Sequence, residues 1–291
     1  MTASVLGVIG GSGVYDIAGL TEVTEVRVDT PFGRPSDVVV KGRLGSTDLL
    51  FLPRHGRGHL HAPHLVNYRA NVCAMRQLGA THLVSISAVG SMREDIAPGD
   101  VVLVDQYVDL TRRRPSTFFE EGAVAHVSMA DPVCPLLASA AAASARRAGA
   151  TVHEGGTYLC IDGPQFSTRA ESLLYRSWGV SVIGMTAMPE AKLAREAELP
   201  YATIAFATDY DCWHEEQEAV SVEAVIAVLR RNADLAKRIV GELSTALPDP
   251  EASPAHGALR NAIITAPGHV NPETRARLAW LMGPYMKEPE Q

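Results

Sequence analysis

Ala207-Thr208-Asp209-Tyr210-Asp211-Cys212-Trp213 is the stretch on which the reading of this chain turns. The apolar, β-prone run Ala202-Thr203-Ile204-Ala205-Phe206 leads into it and predicts a buried strand. Two carboxylates, Asp209 and Asp211, follow where that strand runs out. In an open α/β sheet, ligands gather at the carboxyl ends of the strands. Two acids there can grip a heterocycle, one sharing a proton with a ring nitrogen and the other accepting from an exocyclic amine. The competing reading is a turn and a helix cap, the commoner fate of Asp after a strand. Alone, the heptapeptide favours the turn.

Working outward, strand-like and helix-like segments alternate over most of the chain, which argues for an α/β fold with a central sheet flanked by helices. Strands are predicted at Val5–Ile9, Val38–Val40, Leu49–Leu52, Thr81–Ile86, Val101–Val104, Gly156–Ile161 and Val180–Met185. Helices are predicted over Pro63–Leu78, Pro135–Ala148 and Pro189–Glu198, and from an N-cap at Ser221 to about Leu243. The proline-rich stretch Leu247–Pro254 reads as a hinge. It divides residues 1–245 from a C-terminal extension, 246–291, in which Pro272–Met286 can form an amphipathic helix.

The bulk properties exclude several classes. The 291 residues are 46% hydrophobic with a mean hydropathy of +0.03, which describes a globular chain with a sizeable core. The net charge of -7, from 26 basic and 33 acidic side chains, argues against a nucleic-acid or membrane-surface partner. The run Arg112-Arg113-Arg114 reads as a solvated loop, with anion contact the minority alternative. The four cysteines show no CxxC pair and no metal-ligand spacing, and no apolar run reaches about 18 residues. A reducing cytoplasm is the expected compartment.

Four polar strand ends are candidate anion sites. Gly10-Gly11-Ser12-Gly13 follows a buried strand, and its backbone N–H groups and Ser12 hydroxyl suit a phosphate, although a tight turn explains it equally. The dinucleotide fingerprint and the Walker loop both fail there. Arg54 and His55 follow another strand and offer a planar fork and a second donor. Ser87, in Ser85–Ser91, and Thr186, after Gly184-Met185, complete the set.

These pieces, in this order, resemble a known family. Val8–Gly13, Arg54-His55-Gly56-Arg57, Val66–Asn71, Gly163–Glu171, Met185–Glu190 and Ala207–Trp213 are similar to the motifs of the trimeric purine nucleoside phosphorylases. Within that family, the likeness is greatest to the members acting on 5'-methylthioadenosine. The resemblance covers about residues 5–240, leaving the tail outside. It implies a mixed central sheet and phosphorolysis, in which inorganic phosphate attacks the anomeric carbon and the purine leaves. Phosphate is then a co-substrate, and no metal or organic cofactor is implied.

By the same resemblance, Ser12, Arg54, His55, Ser87 and Thr186 hold phosphate. Ala88, Phe166, Ile183 and Met185 line the sugar and base pocket. Asp209 and Asp211 become the base-recognition pair, with Asp at position 209 favouring a 6-aminopurine where 6-oxopurine enzymes typically carry Asn. Val222 and Val225 surround the 5' substituent, and their apolar lining suits a methylthio group. His126 matches a position that reaches the neighbouring subunit, which implies a trimer or a dimer of trimers. The alternatives are an enzyme for methylthioinosine or for purine nucleosides at large and, outside that class, a dehydrogenase or a non-catalytic purine sensor.

Overall fold

The computed structural model describes residues 4–11, 17–214 and 222–286, with backbone alone for 222–231. Four apolar runs form the centre of an eleven-stranded mixed sheet, counted among the described residues: β1 (Val5–Gly10), β4 (Thr47–Pro53), β5 (His82–Ser91) and β11 (Tyr201–Asp209). They pair in parallel, β4 to β1, β1 to β5 and β5 to β11. Strands covered on both faces read as continuous rather than alternating hydrophobic runs, as β11 does. β2 (Thr21–Val26) and β3 (Val39–Leu44) extend one side in antiparallel pairing. Gly45, in the left-handed region at φ 61°, turns the chain from β3 into β4, where Gly45-Ser46 predicts a turn.

β5 runs longer than the sequence predicts, through Ser87 to Ser91, because small polar residues there sit inside the sheet. Its two edges are occupied differently. β11 follows one edge from Leu83 to Gly90. On the other, β1 pairs through Ser85, and β10 (Val182–Gly184) joins antiparallel only at Gly90 and Ser91. Residues 86–89 therefore face a split in the sheet between β1 and β10. β10 continues into β9 (Thr157–Cys160) and β7 (Gln106–Asp109), while β11 carries β6 (Val101–Leu103), which pairs with β8 (Val152–Glu154).

Two helical layers cover the sheet. α2 (Pro135–Arg147) and α5 (Val222–Ser244) close one apolar cluster over Leu6, Val84, Ile204 and Phe206. α1 (Tyr68–Gln77) and α4 (Glu190–Glu196) close the other. The predicted helix over Pro63–Leu78 is divided: a 3-10 turn holds Pro63–Leu65, and α1 starts only after Asn67, whose side chain accepts from Ala70 N at 3.1 Å. The segment Pro272–Met286 is likewise not one helix. It breaks at Leu278 into α6 (Pro272–Arg277) and α7 (Ala279–Met282), then a 3-10 turn at Gly283–Tyr285. This lets Leu278, Leu281 and Met282 enter the cluster beneath α1 and α4, and sets Trp280 edge-on to Phe118 at 5.0 Å. No helix among the described residues is long and apolar enough to cross a membrane.

Candidate active site

The split beside β5 opens into a cavity of about 400 Å³, within the range of small-molecule sites. Arg54, His55, Ser87, Ala88, Phe166, Ile183, Met185, Thr186, Asp209 and Asp211 all line it, and so does Gly11. Ser12 lies outside the described residues. The backbone of α5 carries Val222 and Val225, whose side chains lie outside the described residues too. His126 is exposed on the surface, its backbone N–H donating to Ala262 O at 2.9 Å, and it does not line the cavity.

At one end, donors converge from three strand ends. Thr186, just past β10, shares a hydrogen bond of 3.0 Å with Ser87 on β5, and Ser87 shares another of 3.0 Å with the Tyr158 hydroxyl. Gly184 makes this arrangement possible, because a side chain there would collide with the Tyr158 hydroxyl. Arg54 is buried, and its planar fork is not free for an anion. Nε donates to Glu190 Oε2 at 3.0 Å, Nη2 reaches Glu190 Oε1, Ile9 O and Ser85 Oγ, and Nη1 donates to Ile86 O at 3.1 Å. Of five N–H groups, one on Nη1 is left for a ligand. Burial alone would lower the guanidinium pKa; the Glu190 carboxylate overrides this and raises it.

His55 lines the cavity with one ring nitrogen already engaged. Its Nδ1 meets His61 O at 2.8 Å, so Nδ1 carries the proton. Burial, reinforced by neighbouring Arg54, lowers its pKa to about 4. Without a ligand the ring is neutral and turns an Nε2 lone pair to the cavity; a bound anion would pull its pKa back up.

The other end holds the acids. Asp209 ends β11; its Oδ2 accepts from Thr208 Oγ1 at 2.6 Å and its Oδ1 from Asp211 N at 2.8 Å. Asp211 sits in the left-handed region at φ 54°, and its Oδ2 accepts from Ser172 Oγ on α3 (Arg169–Ser177) at 2.5 Å. Burial raises both pKa values, against the pull of these donors. Gly90 gives the pair its room: a Cβ there would stand 3.0 Å from Asp209 Oδ1. A carboxyl held toward its neutral form can deliver a proton to a leaving ring nitrogen.

Three residues that support the site escape sequence reasoning. Arg114 is buried, not solvated, and donates to the backbone carbonyls of Met185, Met188, Ile161 and Asp162 and to the Tyr68 hydroxyl. Its place in a run of three arginines hides it. Ser172 could have been found through the capping box Thr168–Glu171, which announces α3. Asn232, on α5, lines the cavity with a buried Nδ2 that has no hydrogen-bond partner among the described residues. Among the described residues, no cluster of His, Cys, Asp and Glu is placed to hold a metal ion.

The model of the phosphorylase superfamily matches residues 5–245. The chain belongs to the phosphorylase superfamily. Among relatives in it, the chain is 54% identical over 283 residues to the S-methyl-5'-thioadenosine phosphorylase of Geobacter sulfurreducens, covering 97% of this chain and 99% of the relative. It is 53% identical to that of Cereibacter sphaeroides, over 98% and 99% of the two chains. A solved methylthioadenosine phosphorylase from an antarctic soil metagenomic library superposes with a TM-score of 0.91 at 46% identity, over 97% and 99%. A mutant adenosine/methylthioadenosine phosphorylase from Schistosoma mansoni, in complex with adenine, gives 0.85 at 36%, over 90% and 99%. The superfamily match ends at residue 245, whereas the Geobacter relative carries the likeness into the C-terminal segment.

Proposed function

We propose that this phosphorylase cleaves 5'-methylthioadenosine with inorganic phosphate, giving adenine and 5-methylthioribose 1-phosphate. One observation carries the reading: the split in the sheet sets a cluster of hydroxyl, imidazole and guanidinium groups at one end of a cavity and two carboxyls, Asp211 buried and Asp209 half-buried, at the other. The relatives' names point to the same substrate. The enzyme is a pentosyltransferase of purine and methionine salvage.

In this reading phosphate sits against Ser87, Thr186, the free Nη1–H of Arg54 and Nε2 of His55, and Ser12, outside the described residues, is assigned to it by the resemblance. The purine lies between Phe166 and the wall of Ala88, Ile183 and Met185. Asp209 delivers the proton that N7 needs as charge develops on the ring, and the second carboxylate accepts from the 6-amino group. Phosphate is already an anion, so no base need activate it, and positioning supplies much of the rate. The reaction asks for no metal or organic cofactor. Val222 and Val225, whose side chains lie outside the described residues, are assigned to the methylthio group by the resemblance. His126, on the surface, reaches a neighbouring subunit's 5' pocket in a homotrimer or dimer of trimers. The enzyme works in the cytoplasm, on small molecules rather than nucleic acid or membrane.

The test is purine release from 5'-methylthioadenosine, adenosine, 5'-methylthioinosine and inosine, each with and without phosphate. Phosphate-dependent adenine release, fastest from 5'-methylthioadenosine, is the expected result. Preference for the inosine compounds would keep the phosphorylase and remove the selection for a 6-amino group given to the carboxylate pair. Equal rates on adenosine would match the broader name of the Schistosoma relative and overturn the role given to Val222 and Val225.

A further inference from the structure

Glu190 is wholly buried, yet it does not line the cavity. Its two oxygens take the Nε and Nη2 edge of Arg54 at 3.0 and 3.1 Å, and Oε1 also accepts from the Tyr201 hydroxyl at 3.1 Å. Behind Tyr201 the chain continues: Thr203 Oγ1 donates to the Tyr201 hydroxyl at 3.2 Å, and Thr203 shares a hydrogen bond of 2.8 Å with the Tyr107 hydroxyl. A buried charge pair of this kind is a weak source of stability, since desolvating both ions offsets their attraction. Its geometric consequence is definite. With one edge of Arg54 clamped and Nη1 tied to Ile86 O, a single N–H direction remains toward the cavity.

We infer that Glu190, backed by Tyr201, is the positioning residue of the oxyanion end of the site. It aims one Nη1–H of Arg54 at the phosphate and cancels the guanidinium charge. With His55 neutral, the bound anion then meets no net positive charge from these three side chains and keeps its electron density for the sugar. Such a site selects its oxyanion by hydrogen-bond direction rather than by charge. This inference rests on the phosphorolysis reading.

Glu190→Gln keeps the shape but replaces one acceptor of the clamp by an amide NH₂ facing an Arg N–H. The expected result is a rise of about tenfold or more in the KM for phosphate. The KM for 5'-methylthioadenosine should stay within about twofold, and adenine affinity by calorimetry should be unchanged. A merely structural role would move all three together, and that result, or an unmoved phosphate KM, would overturn the inference. Should Glu190→Gln not fold, Tyr201→Phe removes one donor to Glu190 and leaves the clamp. It should raise the phosphate KM by about two- to threefold with adenine affinity intact, and an unchanged phosphate KM would again overturn the inference. Failure of the underlying reading looks different: the unaltered enzyme itself would release no adenine in the presence of phosphate.

Discussion

The two ends of the cavity are built by opposite means. At the oxyanion end nearly every polar atom already has a protein partner: Arg54 is held by Glu190, Ser85 and two carbonyls, Ser87 by Tyr158 and Thr186, His55 by His61. At the acid end, burial pushes Asp209 and Asp211 toward their neutral forms while a few short hydrogen bonds hold them in place. One end is preorganised direction; at the other, burial raises the pKa of both carboxyls. In the proposed reaction this difference would let a single cleft bind an anion and still neutralise a second anion as it leaves.

Breaking the acid end should cost the most. Asp209→Ala removes the proposed proton donor and should lower kcat/KM for 5'-methylthioadenosine by about 10²–10⁴-fold, measured by adenine release under saturating phosphate. Asp209→Asn keeps the shape and should shift preference toward 6-oxopurines. An Asn variant with unchanged preference would separate proton delivery from base selection.

The frame between the two ends is Arg114. It ties the end of β9 to the segment after β10, so the carbonyls of Ile161, Asp162, Met185 and Met188 share one guanidinium. Arg114→Ala would leave several of these without a partner, at a cost of about 3 kcal/mol or more. A thermal melt should show a fall of several degrees, on the order of 2–4 °C per kcal/mol for a chain of this size. Both KM values should rise, since Met185 and Ile161 line the cavity.

What the sequence reveals of this arrangement depends on burial. β1, β4 and β11 announce themselves because parallel strands covered on both faces are continuous apolar runs. β2 does not, because it is almost wholly exposed and buries no face. α3 is not among the predicted helices, although its capping box marks its start; Leu173, Leu174 and, at its C-cap, Trp178 are each about half exposed, so it adds little to the core. Site residues at strand ends are legible because topology puts ligands there. Their partners are not. Glu190 reads as an ordinary acid in the first turn of a helix and Arg114 as part of a charged loop. Their roles depend on contacts across separations of 136 and 71 residues, which no local pattern encodes.

A smaller effect sharpens the acid end. Ser172 Oγ donates to Asp211, and this bond lowers the pKa that burial raises. Ser172→Ala should raise the Asp211 pKa, move the acid limb of the kcat/KM profile to higher pH and cost about three- to tenfold at neutral pH. The phosphate KM should not move, because Ser172 touches nothing at the other end.

The slightest effect is also the one that sets the two ends directly against each other. His55 has its pKa lowered in the folded state, to about 4, by burial first and then by Arg54. Its neutral form is favoured by folding, so its contribution is fully present above its unfolded pKa of about 6.5 and is lost as pH falls toward 4. Asp209 is displaced in the other sense. Its folded pKa is raised, so its contribution is present below the unfolded value near 4 and is lost as pH rises through the folded one. Denaturant midpoints measured from pH 4 to 7 should therefore change slope in opposite directions in two variants. His55→Gln should flatten the loss of stability toward acid, by up to about one proton per molecule. Asp209→Asn should abolish a loss toward neutral pH, leaving the variant more stable than the parent at pH 7. Slopes that move together would mean that the two ends do not titrate independently, and that the cavity is one coupled electrostatic unit rather than two opposed halves.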